Sequence, residues 1–294
     1  MDETSGLTER FEEHRSHLRA VSYRMLGSLS EADDAVQEAW LRLNRSDTSD
    51  VGNLGGWLTT VVSRVCLNML RSRESRREYS MDAYPTDPAA GREEAVDPEQ
   101  EAVLADSVGL ALLVVLDTLA PAERLAFVLH DLFAVPFDEI APMIEKSPAA
   151  TRQLASRARR RVKGAPLVPE ADLARRRSVV DAFLAATRGG SFDALVTLLH
   201  PDVVLSADPA VGPTPAPVLL TGAVTVAQAA MAAMQRAQST QPALVDGVAG
   251  LLMAPLGRLR LVLRFTIEDG LITGIDVVAE PERLGALELA TLDA

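Results

Sequence analysis

The sequence predicts a multidomain protein, two all-α helical domains followed by an α+β domain, and three observations predict it. Apolar residues recur with a helical period up to about residue 80 and again over 107–165. Two breaks separate the segments. Residues 81–101 set Pro85, Pro88, Gly91 and Pro98 among seven acids with no apolar period, and Gly164-Ala-Pro-Leu-Val-Pro169 is short and stiffened by proline. Beyond Pro169 the helical pattern gives way to Val-rich alternation and turn signals such as Asp269-Gly270. The division expected is therefore 1–80, an acidic linker over 81–106, 107–165 and 172–287, which suits a chain of 294 residues.

Composition narrows the class. With 48% hydrophobic and 24% charged residues the chain is an ordinary globular one. Its longest apolar run, Val108 to Leu116, is under half of the ~20 residues that a bilayer span needs. The acidic start, Met-Asp-Glu-Thr-Ser-Gly, lacks a secretory pattern, so a cytoplasmic protein without membrane contact is expected. One cysteine, Cys66, allows neither a disulfide framework nor a cysteine metal site, and no cofactor or metal is implied. The net charge of −12 argues against nucleic acid until its distribution is seen. Pro148 to Lys163 holds six bases (Arg152, Arg157, Arg159, Arg160, Arg161, Lys163) and no acid.

In the first segment, Leu18, Val21, Ser22 and Met25 share one face of a helix that begins near Thr8. A second helix is expected from Ser30, with Ser30 as cap and Asp33 as its capping-box partner. Ala35, Val36, Ala39, Trp40 and Leu43 form its apolar arc, and Asp33, Asp34, Gln37 and Glu38 an acidic exposed one. A third, Trp57 to about Arg73, buries Leu58, Val61, Val62, Val65 and Met69 and turns Thr60, Arg64, Asn68 and Arg71 outward.

These residues resemble a known family. Gly27 to Arg42 (GSLSEADDAVQEAWLR), Trp57-Leu-Thr-Thr and Arg71-Ser-Arg73 closely resemble region 2 of the extracytoplasmic-function (ECF) sigma factors of the sigma-70 family. The resemblance implies that Asp33, Asp34, Gln37 and Glu38 meet core RNA polymerase at the β′ clamp helices, with the β subunit as a further partner. It also implies that the loop Asn44 to Gly56, with Trp57, Arg64, Asn68, Arg71 and Arg73, captures the minus-10 element of promoter DNA.

The second segment reads as a helix-turn-helix. Pro121 opens a supporting helix with Leu125, Val128, Leu129 and Leu132 inward, and a short helix follows at about Phe137 to Ile144, interrupted by Pro142. Glu145-Lys-Ser147 makes the turn, with Ser147 as N-cap and Pro148 in the first helical position. From Pro148 to Lys163, Thr151, Leu154, Ala155, Ala158 and Val162 occupy one arc. Arg152, Gln153, Ser156 and Arg157 lie in the N-terminal half, where long donors reach base edges, and Arg160 follows. This stretch resembles region 4 of the same family, which implies minus-35 binding.

In the last segment two helices are expected between Asp172 and Leu199, with Ala182, Phe183 and Ala186 on one apolar face. Strands follow at Val203 to Ala207, Leu259 to Ile267 and Leu271 to Val278, with a helix near Val224 to Ala237 between them. Asp181 to Ala185 and Leu198 to Val204 resemble a SnoaL-like cone of the nuclear-transport-factor-two superfamily, found appended to SigJ-like sigma factors. Two motifs of that group are replaced here, by Ala207-Asp-Pro-Ala-Val-Gly-Pro213 and by Pro166-Leu-Val-Pro169. Such cones hold small molecules or carry acid–base chemistry, so His200, Asp208 and Asp276 are weighed as sites. His200-Pro201-Asp202 reads instead as a helix-to-strand turn, and all three tyrosines lie outside the domain.

The function expected is that of a sigma factor directing promoter-specific initiation, without catalysis of its own, regulated in cis by the cone, whose ligand, if any, is unknown. The alternative is a ligand-binding or enzymatic cone with a repressor-type DNA-binding module, which has no need of the acidic face at Asp33 to Glu38.

Overall fold

The computed structural model describes residues 3–47, 51–81, 109–211 and 216–292, with the side chains of 3–5 and 77–81 left aside. Apart from Met81, the expected acidic linker lies outside the described residues. The chain divides into two compact units, Met1–Leu104 with Leu116–Arg159, and Ala105–Val115 with Arg160–Ala294.

The first unit opens with three helices, α1 (Glu3–Leu26), α2 (Leu29–Arg45) and α3 (Leu54–Met81). They close over Leu18, Tyr23, Met25, Leu29, Leu43, Leu58 and Leu67, all fully or almost fully buried. Gly27, at φ 69°, ends α1 with its amide on the Tyr23 carbonyl, 2.8 Å. The next residue, Ser28, caps α2 by accepting from the Glu31 amide, so the helix starts one residue earlier than expected and the cap is Ser28 rather than Ser30. Asn53 likewise caps α3, its Oδ1 accepting from the Gly56 amide at 2.9 Å, which moves the start from Trp57 to Leu54. Within α3 Leu58, Val62 and Val65 are buried as expected, Val61 and Met69 are half-buried, and Cys66, Leu67 and Leu70 join the buried face.

After α4 (Leu110–Asp117), α5 (Pro121–Phe127) runs on as a π-helical turn, Val128–Leu132. Arg124 of α5 is buried, donating to the carbonyls of Leu116 (2.5 Å) and Met25 (2.7 Å) and pairing with Asp117 at 2.9 Å. A buried guanidinium is tolerable because its hydrogens are met this way. The short helix α6 (Phe137–Ile140) tightens into a 3-10 turn, Ala141–Met143, where Pro142 has no amide to donate. Glu145 turns the chain at φ 55°, and Ser147 caps α7 (Pro148–Lys163) by accepting from the Ala150 amide at 3.2 Å.

The second unit is α+β, as expected. Helices α8 (Glu170–Gly189) and α9 (Phe192–Leu198) lead into β1 (Leu199–Ala207) and β2 (Val218–Thr221), then α10 (Ala223–Ala232) and α11 (Met234–Ala237). Then follow β3 (Thr240–Val245), β4 (Val248–Met253), β5 (Leu261–Glu268), β6 (Leu271–Val278), α12 (Pro281–Ala286) and β7 (Leu289–Ala290). The sheet order is β2-β1-β6-β5-β4-β3-β7, antiparallel except for the parallel pair β1–β6. Helix α8 packs Val180, Phe183 and Leu184 on it, whereas Ala182, expected on that face, is exposed. Strand β1 begins at Leu199, so His200-Pro201-Asp202 lies inside a strand and not in a turn. Its register against β6 shifts between Leu199 and Val204, an irregularity at which Pro201 needs no ladder hydrogen bond. Strands β2, β3, β4 and β7 were not expected.

Candidate functional site

The acidic face of α2 is partly engaged within the protein. Asp33 receives both Nε (2.7 Å) and Nη2 (2.9 Å) of Arg19, and Glu38 accepts from Arg42 at 2.8 Å. Asp34 and Gln37 are exposed. Beside them Asp33, Val36, Gln37 and Trp40 line a cleft floored by Phe11, whose ring lies 4.9 Å from that of Trp40. The sequence reading places Trp40 in the apolar arc, and the structure adds that it borders this cleft. Aromatic anchors ringed by charge are what a protein partner grips.

On α3, at 100° per residue, Trp57, Arg64, Asn68 and Arg71 fall within a stripe about 60° wide. Arg64, Asn68 and Arg71 are exposed and Trp57 is half-buried. Arg64 also donates to the Pro142 carbonyl at 3.3 Å. Arg73 does not join them. It stands across the helix, its Nε on Glu31 (3.2 Å) and its Nη1 on the Leu26 carbonyl (3.1 Å), so the guanidinium that was expected on DNA instead ties α3 to the α1–α2 turn. Of the loop, residues 48–50 lie outside the described ones.

The helix α7 divides as its pattern foretells: Thr151, Leu154, Ala155, Ala158 and Val162 are buried, while Arg152, Gln153, Ser156, Arg157 and Arg160 are exposed. Three supports were invisible in the sequence. The Arg152 guanidinium sits 5.4 Å from the centre of the Phe137 ring, which stacks at 3.8 Å on His130. His130 is fixed in turn by its Nδ1, which donates to the Val135 carbonyl at 3.1 Å. Arg157 bonds Glu123 at 2.7 Å, and Arg159 is paired with Asp131.

In the second unit the three candidate catalytic residues do not form a site. Asp208 is buried and accepts from the amides of Ala279 (2.8 Å) and Glu280 (2.9 Å) and from Arg283. Burial opposes its ionisation, but those donors outweigh the penalty and hold its carboxyl below the usual carboxylate range. Asp276 pairs with the same Arg283 at 2.9 Å and accepts from Ser206 at 3.2 Å. It lies on the face of β6 opposite to Ile275 and Val277, which line the cavity of the domain. His200 accepts from the Asp202 amide within its own strand. Among the described residues no group of His, Cys, Asp or Glu is placed to hold a metal, and no helix is long and apolar enough to cross a membrane.

Residues 10–76 match the family model of sigma-70 region 2, and residues 109–162 that of sigma-70 region 4. Over 93% of its length the chain is 38% identical to the ECF RNA polymerase sigma factor SigJ of Mycobacterium tuberculosis, covering 91% of that protein. It is 34% identical to the probable ECF RNA polymerase sigma factor SigI of the same organism, covering 98% of both. Alignment with the crystal structure of the M. tuberculosis SigJ covers 95% of this chain and 98% of that one, with 32% identity and a TM-score of 0.45. The chain belongs to the ECF sigma factors of the sigma-70 family. It is thus an RNA polymerase sigma factor, which works with core polymerase at promoter DNA, and its sigma regions are followed by an α+β domain.

Proposed function

We propose that Asp34, Gln37 and the cleft beside Trp40 dock on the β′ clamp helices, with Asp33 and Glu38 held in place by Arg19 and Arg42. The β subunit is a further partner within core polymerase. The stripe Trp57, Arg64, Asn68 and Arg71 takes the minus-10 element, and Arg152, Gln153, Ser156, Arg157 and Arg160 read the minus-35 element. One observation carries the reading above all: α7 turns every buried residue to one side and every expected DNA-contacting residue to the other. Base readers and phosphate binders thereby share one convex surface.

The α+β domain acts in cis and catalyses no step of its own. Asp208 and Asp276 are held by Arg283, and the segment joining the domain to α7 is clasped to it. The Leu167 amide donates to the Gly247 carbonyl at 2.9 Å, and a Cβ on Gly247 would come within 2.8 Å of the Ala165 carbonyl oxygen. Covalent attachment makes even a weak regulatory contact effectively intramolecular. Reconstitution with core polymerase and run-off transcription test both parts. Asp34→Arg should abolish promoter-dependent initiation, while Gly247→Ala should preserve core binding yet change output at least threefold. Unchanged output from Gly247→Ala would remove the cis role, and undiminished initiation by Asp34→Arg the docking assignment.

A further inference from the structure

The α+β domain holds an open cavity of about 330 Å3, within the 300–1,000 Å3 range of small-molecule sites. Protein interiors are close-packed, so space on this scale has a structural cause. Here it is the wall formed by α10, α11 and the residue between them, whose inward positions are alanines, Ala229, Ala230, Ala233 and Ala237, facing the Leu- and Val-bearing strands across the gap. Methyl groups on one side leave room that longer side chains would fill.

The lining is apolar except for Thr187, Thr240 and Arg236. Both threonine hydroxyls already donate, to the carbonyls of Phe183 (2.9 Å) and Arg236 (3.0 Å). Arg236 differs: it is exposed at the rim, and no carboxylate among the described residues pairs with it. An apolar chamber with one cation at its mouth selects an apolar body ending in one anionic group.

We propose that this cavity binds a small amphipathic anion, its hydrocarbon or aromatic part against the alanine wall and its carboxylate or similar group on Arg236. This goes beyond the sigma-factor reading and does not depend on it.

Calorimetric titration of the full chain with decanoate tests it, with decyltrimethylammonium as the oppositely charged probe. One decanoate should bind per chain. Arg236→Glu, an exposed change that leaves the fold intact, should weaken decanoate at least tenfold and strengthen the cationic probe. Ala230→Phe, which fills the chamber, should abolish binding of both. If Phe at 230 lowers the melting temperature so far that the chain is unfolded, Ala233→Leu serves in its place. Absence of stoichiometric decanoate binding, an affinity unchanged by Arg236→Glu, or binding that survives a folded cavity-filling variant would overturn the proposal.

Discussion

Arg157 cannot hold Glu123 and a DNA phosphate or base edge at once with the same Nε hydrogen. The pair is 2.7 Å long, with the Arg157 side chain 50% exposed and the Glu123 side chain 16% exposed, so in the proposed role of Arg157 binding the minus-35 element competes with an internal ion pair in contact with water. Pairs of that exposure contribute about 0.2–1 kcal/mol. Glu123→Gln should therefore raise affinity for a promoter duplex by about 1.4- to 5-fold, since 1.4 kcal/mol is a factor of ten. If the freed guanidinium reaches a phosphate, the slope of log K against log salt should steepen by about 0.9, an extra factor of about 3.5 between 50 and 200 mM salt. Fluorescence anisotropy of holoenzyme on a labelled promoter duplex across that salt range gives both numbers. Removing a negative charge also weakens repulsion of DNA at long range, so the same substitution is made on an Arg157→Ala background. If Glu123 and DNA compete for Arg157, the gain vanishes there. A gain that persists without Arg157, or no gain at all, refutes it.

Three further outcomes are expected. Asp34→Arg with Glu38→Arg should eliminate co-elution with core polymerase while the fold survives, because the like-charge contact that Glu38→Arg creates with Arg42 costs only about 0.2–0.5 kcal/mol; circular dichroism and gel filtration together check this. Phe137→Ala removes the ring beneath Arg152, and the preference of the holoenzyme for its own minus-35 sequence over a single-base variant should fall by about 2- to 5-fold, the worth of a ~0.5–1 kcal/mol cation–π contact. Burial pushes the Cys66 thiol from 9.0 up to about 12, against a smaller opposing pull from Ser22. The folded thiol therefore stays protonated where the unfolded one ionises, so its contribution to stability is complete below pH 9 and is lost as pH rises toward 12; iodoacetamide at pH 8.5 should label Cys66 only in denaturant, and labelling of the folded chain would contradict the burial.

The sequence reading succeeded where one periodicity decided the structure. α7 is such a case, since its apolar residues follow a strict helical repeat and nothing distant alters them. The start of α2 was misplaced because Ser28 and Ser30 each have an acid three residues on, Glu31 and Asp33. What separates them is Gly27, whose left-handed conformation ends α1 immediately before Ser28. Strands β3 and β4 escaped because both bury residues on two faces, which erases alternation, and because Pro242 and Gly250 look like breakers. Their Asp246-Gly247 turn, with both residues at positive φ, is the same hairpin signal that was read correctly at Asp269-Gly270. At the candidate site, the internal partners of Arg73 and Arg157 were not legible because they are remote in sequence. Glu31 is 42 residues from Arg73 and Glu123 is 34 from Arg157, distances at which no local pattern announces a pair.

Those remote pairs change what α7, in its proposed role, offers to DNA in a chain of net charge −12. Phosphate attraction is sequence-blind and scales with the number of cations free to engage it. On α7, Asp131 holds Arg159 and Glu123 holds Arg157, while Arg152 rests over an aromatic ring, so the helix offers fewer unengaged cations than its sequence suggests. Each engaged arginine loses non-specific attraction and side-chain freedom together. What is left is geometry, with Arg152 supported from beneath and Gln153 and Ser156 beside it at the exposed N-terminal half of the helix. Such a surface gains little from random DNA and more from a site whose base edges match. In the proposed role of α7, promoter discrimination rests on donors that the fold has already aimed, and the net negative charge of the protein strengthens that discrimination by weakening every unspecific contact.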